Sequence, residues 1–137
     1  MKIKRIFRLC LAFFTAITIS QTLLADEVWN STYGKVIYED EIGKTALWNY
    51  KNNGILGLIY INNLAGVYTG RKAYDGYWVQ ETSEVQCKTH RMMKDKPSFY
   101  WGRFHIQFLD PNFPSRWQAK WSYCNNPPKK DWQGTPD

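Results

Sequence analysis

Side chains able to do chemistry are few in this sequence, and their spacing fits no common catalytic centre. A nucleophilic hydrolase needs a serine, cysteine or threonine beside a base that a third group orients. No Gly-x-Ser-x-Gly motif occurs, and His105 lies between Arg103 and Gln107 in a segment where polar and apolar residues alternate. We therefore expect His105 to be a solvated residue of a strand face, with a binding role second and a catalytic role last.

Other catalytic and metal-binding patterns are also missing from the sequence. The carboxylates of Glu39, Asp40 and Glu41 could serve glycoside hydrolysis, but they precede Gly43 and are more typical of a charged hairpin tip. The histidines and cysteines after residue 25 match no standard zinc spacing, and no phosphate loop or dinucleotide motif occurs. The sequence thus predicts no metal, no cofactor and no enzyme activity.

Residues 1–25 have the layout of a secretory signal peptide. Basic residues come first, an apolar stretch runs from Leu9 to Ile19, and cleavage is expected after Ala25. The apolar run is about half of the ~20 residues that cross a bilayer, so we expect no membrane anchor in the mature protein. The prediction is a periplasmic or secreted protein.

Removing this leader changes what the charge means. Of 18 Lys and Arg residues four lie in residues 1–25, which leaves 14 against 12 Asp and Glu, a net charge of +2. Nucleic acid is therefore not an expected partner. Two cysteines remain, Cys87 and Cys124. In an oxidising compartment they predict one disulfide, which stabilises the fold by roughly 3 to 4 kcal/mol.

The mature region, residues 26–137, is expected to form a single all-β domain. All seven Trp and nine Tyr residues lie in it, and aromatic residues favour strands. Period-two alternation is clearest in 101–109 and 116–123, and the pairs Asn53-Gly54, Asn62-Asn63 and Asp75-Gly76 suit two-residue hairpin turns. Further strands are predicted over 29–39, 45–51, 55–61, 64–69 and 77–81.

These elements predict an antiparallel meander of about seven or eight strands. Closure into a small barrel would remove exposed strand edges, and an open two-layer sandwich is the alternative. The segment Thr82–Phe99 is long for a loop, which is typical of functional or disordered segments. The C-terminal tail, with Pro127-Pro128 and Pro136, is expected to be irregular.

Short motifs in this order resemble the lipocalin and avidin-like (calycin-type) group of up-and-down barrels. Examples are Trp29-Asn-Ser-Thr-Tyr-Gly34, Gly76-Tyr-Trp78 and Trp132-Gln-Gly134. The resemblance implies a small β-barrel that holds a ligand. Glu27 occupies the place of the lipocalin glycine two residues before the tryptophan, and the resemblance assigns no ligand.

The function expected from these features is that of a non-catalytic exported binding domain for a small apolar or saccharide ligand. A barrel of about eight strands is wide enough either to be filled by side chains or to hold one small ligand. The tryptophans could therefore either fill a packed core or contact a ligand. The candidate ligand-binding residues are Trp48, Trp78, Trp101, Arg103, His105 and Trp117.

Two other functions remain open at this point. The first is a protein-binding module or enzyme inhibitor that contacts an acidic partner or the cell envelope through the loop residues Lys88, Arg91, Lys94 and Lys96. The second is an envelope hydrolase that depends on His105. The sequence identifies neither the ligand nor the partner.

Overall fold

A computed structural model describes residues 27–137, and the predicted signal peptide, residues 1–25, lies outside this range. Eight antiparallel strands close a barrel in the order β1-β10-β9-β8-β5-β4-β3-β2, and β6 pairs with β7 in a separate hairpin. The predicted all-β closed meander is confirmed. The strands are β1 Val28–Ser31, β2 Gly34–Ile42, β3 Thr45–Asn52, β4 Ile55–Ile61, β5 Ala73–Gln80, β6 Arg91–Met93, β7 Lys96–Ser98, β8 Tyr100–Phe108, β9 Trp117–Trp121 and β10 Lys130–Pro136.

Alternation of polar and apolar residues orients the strands as predicted. In β8, Phe104 and Ile106 are buried while His105 between them is exposed. In β9, Trp117 and Trp121 are buried on the same side. Successive side chains of a strand point to opposite faces, so Phe104, Trp117 and Trp121 face the barrel interior. The charged residues of both strands face solvent.

Two of the predicted hairpin turns differ in outcome. Asn53 and Gly54 both have positive φ, 51° and 80°, and form the predicted two-residue turn between β3 and β4. Asp75-Gly76, in contrast, lies inside β5. A Cβ on Gly76 would lie 1.8 Å from the carbonyl oxygen of Tyr60. This glycine therefore permits close strand packing, and the turn prediction was wrong.

The strands predicted over 29–39 and 64–69 were also wrong. Residues 29–39 form two strands, because Ser31 bends the chain: its Oγ donates to Gly34 O at 2.5 Å and accepts from Tyr33 N at 3.2 Å. Residues 62–72 form no strand and instead carry Leu64, fully buried, across one end of the barrel.

The C-terminal tail is regular, contrary to the prediction. Residues 130–136 form β10, which pairs with β9 on one side and β1 on the other and so closes the barrel. Trp132 and Gly134 of this strand face the core. The prolines do not interfere, because Pro127 and Pro128 precede the strand and Pro136 is its last residue.

The long segment before β8 covers the outside of the barrel. It contains the hairpin β6–β7, and the predicted disulfide between Cys87 and Cys124 is confirmed, with a Cα–Cα distance of 5.6 Å. A second apolar cluster lies between this segment and the outer face of the sheet. We call it the outer cluster, and it consists of Leu47, Leu58, Tyr60, Val79, Cys87, Met93 and Trp101.

Side chains fill the middle of the barrel. Trp29, Trp48 and Trp117 are fully buried there, and the ring centroids of Trp48 lie 4.3 Å from Trp29 and 5.5 Å from Trp117. Gly134 leaves room for them, since a Cβ at that position would lie 2.5 Å from an indole carbon of Trp117. The interior is thus a packed aromatic core.

Candidate functional site

The antiparallel order of the strands sorts their connections onto two ends of the barrel. Glu27 and the connections 43–44, 62–72 and 109–116 lie at one end, which we call the closed end. The other end, which we call the open end, carries the connections 32–33, 53–54 and 122–129 and the start of the connection 81–99. The two ends differ in how their polar groups are satisfied.

A buried ion pair seals the closed end. Arg71 Nη2 lies 2.8 Å from Glu27 Oε1 and Arg71 Nη1 lies 3.0 Å from Glu27 Oε2, a bidentate arrangement. Their side chains are only 0% and 3% exposed. Ser115 joins them, since its Oγ accepts from Arg71 at 3.1 Å and its carbonyl accepts from Trp29 Nε1 at 2.7 Å. One hydrogen-bond network therefore connects the Arg71–Glu27 ion pair, Ser115 and the core residue Trp29.

A carboxylate of β2 fastens the 62–72 connection over this end. Glu41 Oε1 accepts hydrogen bonds from the hydroxyls of Tyr38 and Tyr68, both at 2.9 Å, and from the Gly66 amide at 3.1 Å. Desolvation by itself would raise the pKa of Glu41, but these donors outweigh it and the pKa is lowered. The lowered pKa favours the ionised form of Glu41, whose carboxylate joins Gly66 and Tyr68 of the 62–72 connection to β2.

The open end holds a cavity of about 420 Å³ with aromatic walls. We call this cavity the bowl. This volume lies within the range of small-molecule sites. Its aromatic lining residues are Tyr33, Tyr50, Trp78, Trp121, Tyr123 and Trp132.

The walls of the bowl are held by edge-to-face ring contacts. Trp121 lies at their centre, with its ring centroid 5.7 Å from Trp78, 5.7 Å from Tyr33 and 5.2 Å from Tyr123. Trp78 Nε1 donates to Ser122 O at 2.9 Å, which fixes that ring. Trp121 Nε1 is buried and has no hydrogen-bond partner among residues 27–137.

Amide and hydroxyl groups complete the lining. Tyr50 Oη donates to Gln80 Oε1 at 2.8 Å, and Gln80 Nε2 donates to Thr82 O at 2.9 Å, so this part of the wall is preorganised. Burial raises the pKa of Tyr50, which keeps its hydroxyl a donor. The remaining polar lining residues are Asn52, Asn53 and Ser83.

The bowl also carries one cation, Lys130, and one carboxylate, Glu84, and both contact Tyr123. Tyr123 Oη donates to Glu84 Oε2 at 3.4 Å, a long hydrogen bond. Lys130 Nζ lies 5.3 Å from the ring centroid of Trp121 and 5.2 Å from that of Tyr123, which is cation–π distance. Burial raises the pKa of Tyr123, and the Glu84 carboxylate raises it further.

The predicted ligand-binding tryptophans lie in three different places. Trp78 lines the bowl. Trp48 and Trp117 lie in the packed core. Trp101 belongs to the outer cluster, where its Nε1 donates to Thr89 O at 2.8 Å. The structure therefore brings one of the four to the open-end cavity.

The two polar candidates lie on the outer face of β8. Arg103 and His105 are exposed, and His105 Nδ1 is 2.7 Å from Asp75 Oδ1 on the neighbouring strand. Neither residue lines the bowl. The outward direction of both residues follows from the alternation that places Phe104 inside.

The basic residues predicted for partner binding lie in or beside the hairpin that covers the outer cluster. The Arg91 guanidinium carbon lies 4.9 Å from the ring centroid of Tyr77 and 4.7 Å from that of Trp101. Lys94 Nζ forms an ion pair with Glu39 Oε1 at 3.3 Å. Lys88 and Lys96 are exposed. Two of the four side chains thus contact the barrel itself.

Most residues of the bowl were not predicted from the sequence. Tyr33, Asn52 and Lys130 lie at or beside strand ends, and Ser83 and Glu84 lie in the connection after β5. The signal that could have found them is aromatic and amide residues next to those connections that meet at one end of the barrel. This pattern can be recognised only if the number of strands is predicted correctly, because that number decides at which end of the barrel each connection lies.

Comparisons with family models, with characterised proteins and with solved structures find no match to this chain. The architecture is that of a closed eight-stranded antiparallel meander barrel, which is consistent with the calycin-type fold that the motifs resemble. Residues 27–137 include no helix with the length and apolarity that a bilayer crossing requires. The same residues place no three histidine, cysteine or carboxylate side chains where they could ligate one metal ion.

Proposed function

We propose that the chain is a non-catalytic exported binding protein that holds a saccharide in the bowl. The observation that carries the proposal is the contrast between the middle of the barrel, filled by Trp29, Trp48 and Trp117, and the bowl of about 420 Å³ above it. A deep apolar ligand would need a hollow interior. A shallow site with aromatic walls and amide groups suits a sugar, which has apolar ring faces and polar edges.

The lining chemistry supports binding over catalysis. Glycoside hydrolysis uses two carboxyl groups, and Glu84 is the one carboxylate among the residues that line the bowl. His105 lies on the outer face beside Asp75 and away from the bowl. A hydrolase acting through His105 is therefore less well supported than a binding protein.

The protein-binding alternative has weaker support from the structure. Arg91 stacks against the outer cluster and Lys94 pairs with Glu39, so these charges help to fix the hairpin to the barrel.

The proposed location is the periplasm or the cell exterior. The Cys87–Cys124 disulfide supports it, because such bonds persist in oxidising compartments.

Titration of the protein with oligosaccharides, followed by tryptophan fluorescence, tests the proposal. The probes are oligomers of glucose, of N-acetylglucosamine and of a uronic acid, with 8-anilinonaphthalene-1-sulfonate as an apolar probe. A saturable change with one of the sugars is expected, because Trp78, Trp121 and Trp132 line the bowl. Saturable binding of the apolar probe alone would favour the apolar-ligand alternative, and no response to any probe would contradict a ligand site in the bowl.

A pair of tyrosine variants locates the binding. Tyr123→Ala removes a half-buried wall of the bowl and should weaken sugar binding about tenfold or more. Tyr74→Ala is the matched control. Tyr74 is also half-buried, but its ring packs against Phe108, whose ring contacts Arg71 at the closed end. Equal loss of affinity in both variants would show that the sugar does not bind at the open end.

A further inference from the structure

The disulfide joins two walls of the bowl. Cys124 directly follows Tyr123, which lines one side, and Cys87 comes three residues after Glu84, which lines the other. The hydrogen bond from Tyr123 Oη to Glu84 Oε2 connects the same two walls at 3.4 Å. The disulfide therefore lies beside the bowl, and it joins two parts of the chain that are 37 residues apart.

The rest of the protein holds the two cysteines in different ways. Cys124 N donates to Trp101 O at 2.8 Å, and its chain passes so close to β8 that a Cβ on Gly102 would lie 1.7 Å from Ser122 O. Cys124 is thus anchored to the barrel by the backbone. Cys87 is held by side-chain packing: it is buried in the outer cluster, and its N donates to Phe99 O, in the last residue before β8, at 2.7 Å.

The wall segment 83–86 has few contacts of its own. Within the described part of the chain, its one hydrogen bond is the long one that Glu84 accepts from Tyr123. Glu84, Val85 and Gln86 are exposed, so packing does not fix them either. The segment is held at its ends, by the bond from Gln80 to Thr82 O and at Cys87, where the disulfide adds to the hydrogen bond with Phe99 O and to burial in the outer cluster.

We infer that the Cys87–Cys124 disulfide is a positioning element of the binding site, which holds residues 83–86 against Tyr123 and so preorganises the bowl. This inference rests on the proposed function for its effect on affinity. The barrel itself is closed by pairing among its eight strands, and neither cysteine lies in one of these strands. The fold and the order of this wall are therefore separable, and high ligand affinity appears only after oxidation in the compartment to which the protein is exported.

The test lengthens the wall and leaves the disulfide intact. Two glycines are inserted between Gln86 and Cys87, and the control carries the same insertion between Lys94 and Asp95, in the β6–β7 turn away from the bowl. Two quantities are measured: hydrogen exchange of the amides of 83–86 in the absence of ligand, and the dissociation constant of the sugar that binds the wild type. A Cys87→Ser/Cys124→Ser variant is compared at a temperature where circular dichroism shows it folded.

The wall insertion and the folded serine variant are both expected to speed exchange in 83–86 and to weaken sugar binding about tenfold, with both quantities unchanged in the control. Unchanged exchange and affinity in the wall insertion would overturn the inference, whether or not the serine variant folds. Faster exchange without sugar binding by the wild type would support the positioning role and contradict the proposed function. The two proposals can therefore fail separately.

Discussion

The closed end and the open end of the barrel use similar residues in opposite ways. At the closed end Arg71 and Glu27 are buried and pair with each other, and Val67 O and Ser115 Oγ accept further hydrogen bonds from Arg71. At the open end Lys130 lies on the faces of two aromatic rings, and Glu84 accepts one long hydrogen bond. Polar groups that satisfy each other fix a fold, whereas polar groups around an aromatic cavity can satisfy a ligand.

The packed core between the ends gives this difference its functional meaning. Trp29, Trp48 and Trp117 separate the ion pair from the bowl, so a ligand at the open end does not reach the closed end. Changes at the closed end should therefore alter mainly the free energy of unfolding. Changes around the bowl should cost little stability and alter binding.

Arg71→Met should have the largest effect on stability, a loss of about 3 to 5 kcal/mol in the free energy of unfolding. The variant leaves the Glu27 carboxylate buried without its partner. Urea unfolding followed by tryptophan fluorescence measures the loss. Glu27→Leu combined with Arg71→Met removes both charges and should recover most of it. A double variant as unstable as the single one would mean that the uncompensated charge is not the cause.

Gly134→Ala should reduce the free energy of unfolding by about 1 to 3 kcal/mol, because the added methyl group overlaps the Trp117 ring at 2.5 Å. Gln133→Ala is the control on the same strand, where an exposed side chain should change stability by less than about 0.5 kcal/mol. Chemical denaturation of both variants provides the measurement. Similar values for the two would show that Trp117 can move, and that the core does not separate the ends of the barrel.

Lys130→Gln should lower the free energy of unfolding by only about 0.5 to 1 kcal/mol, since it removes an exposed cation–π contact with Trp121 and Tyr123. Lys129→Gln removes the same charge one residue earlier, at a position that does not line the bowl, and should have no effect. Thermal unfolding at fixed ionic strength compares them. A loss as large as that of Arg71→Met would remove the distinction between the two ends.

Much of the fold could be predicted because local rules govern it. Alternation identified β8 and β9, and Asn53-Gly54 identified a turn whose positive φ values few other residue pairs adopt. Failures occurred where tertiary contacts override local signals. Asp75-Gly76 has the composition of a turn, but Gly76 is required by the backbone of Tyr60. Such a requirement is not visible in a single segment.

The candidate site was harder to predict, because it depends on the number of strands. Each strand reverses the chain, so one additional strand moves every later connection to the opposite end of the barrel. Treating 64–69 as a strand would separate Glu84 and Tyr123 from Asn53, whereas the structure brings all three to the bowl. Trp78 alone among the predicted residues lines the bowl, since it lies on an inward face near the end of β5.

The smallest effect expected is a pH dependence at the closed end. Arg116 donates from its backbone amide and its guanidinium to Asp110 at 2.9 to 3.0 Å, and these hydrogen bonds lower the pKa of Asp110 from 3.8 to about 2. The unfolded chain then binds a proton more readily than the folded one. The stabilisation is fully present above pH 3.8 and is lost as the pH falls through 2.

Asp110→Asn should remove this dependence. The difference in urea midpoint between wild type and variant is expected to be constant above pH 3.8 and to disappear near pH 2. Because the pair is exposed, added salt should reduce the difference at every pH. A difference that persists at pH 2 would mean that Asp110 acts through its shape or its neutral hydrogen bonds. The contribution of Asp110 to the closed end would then not be electrostatic.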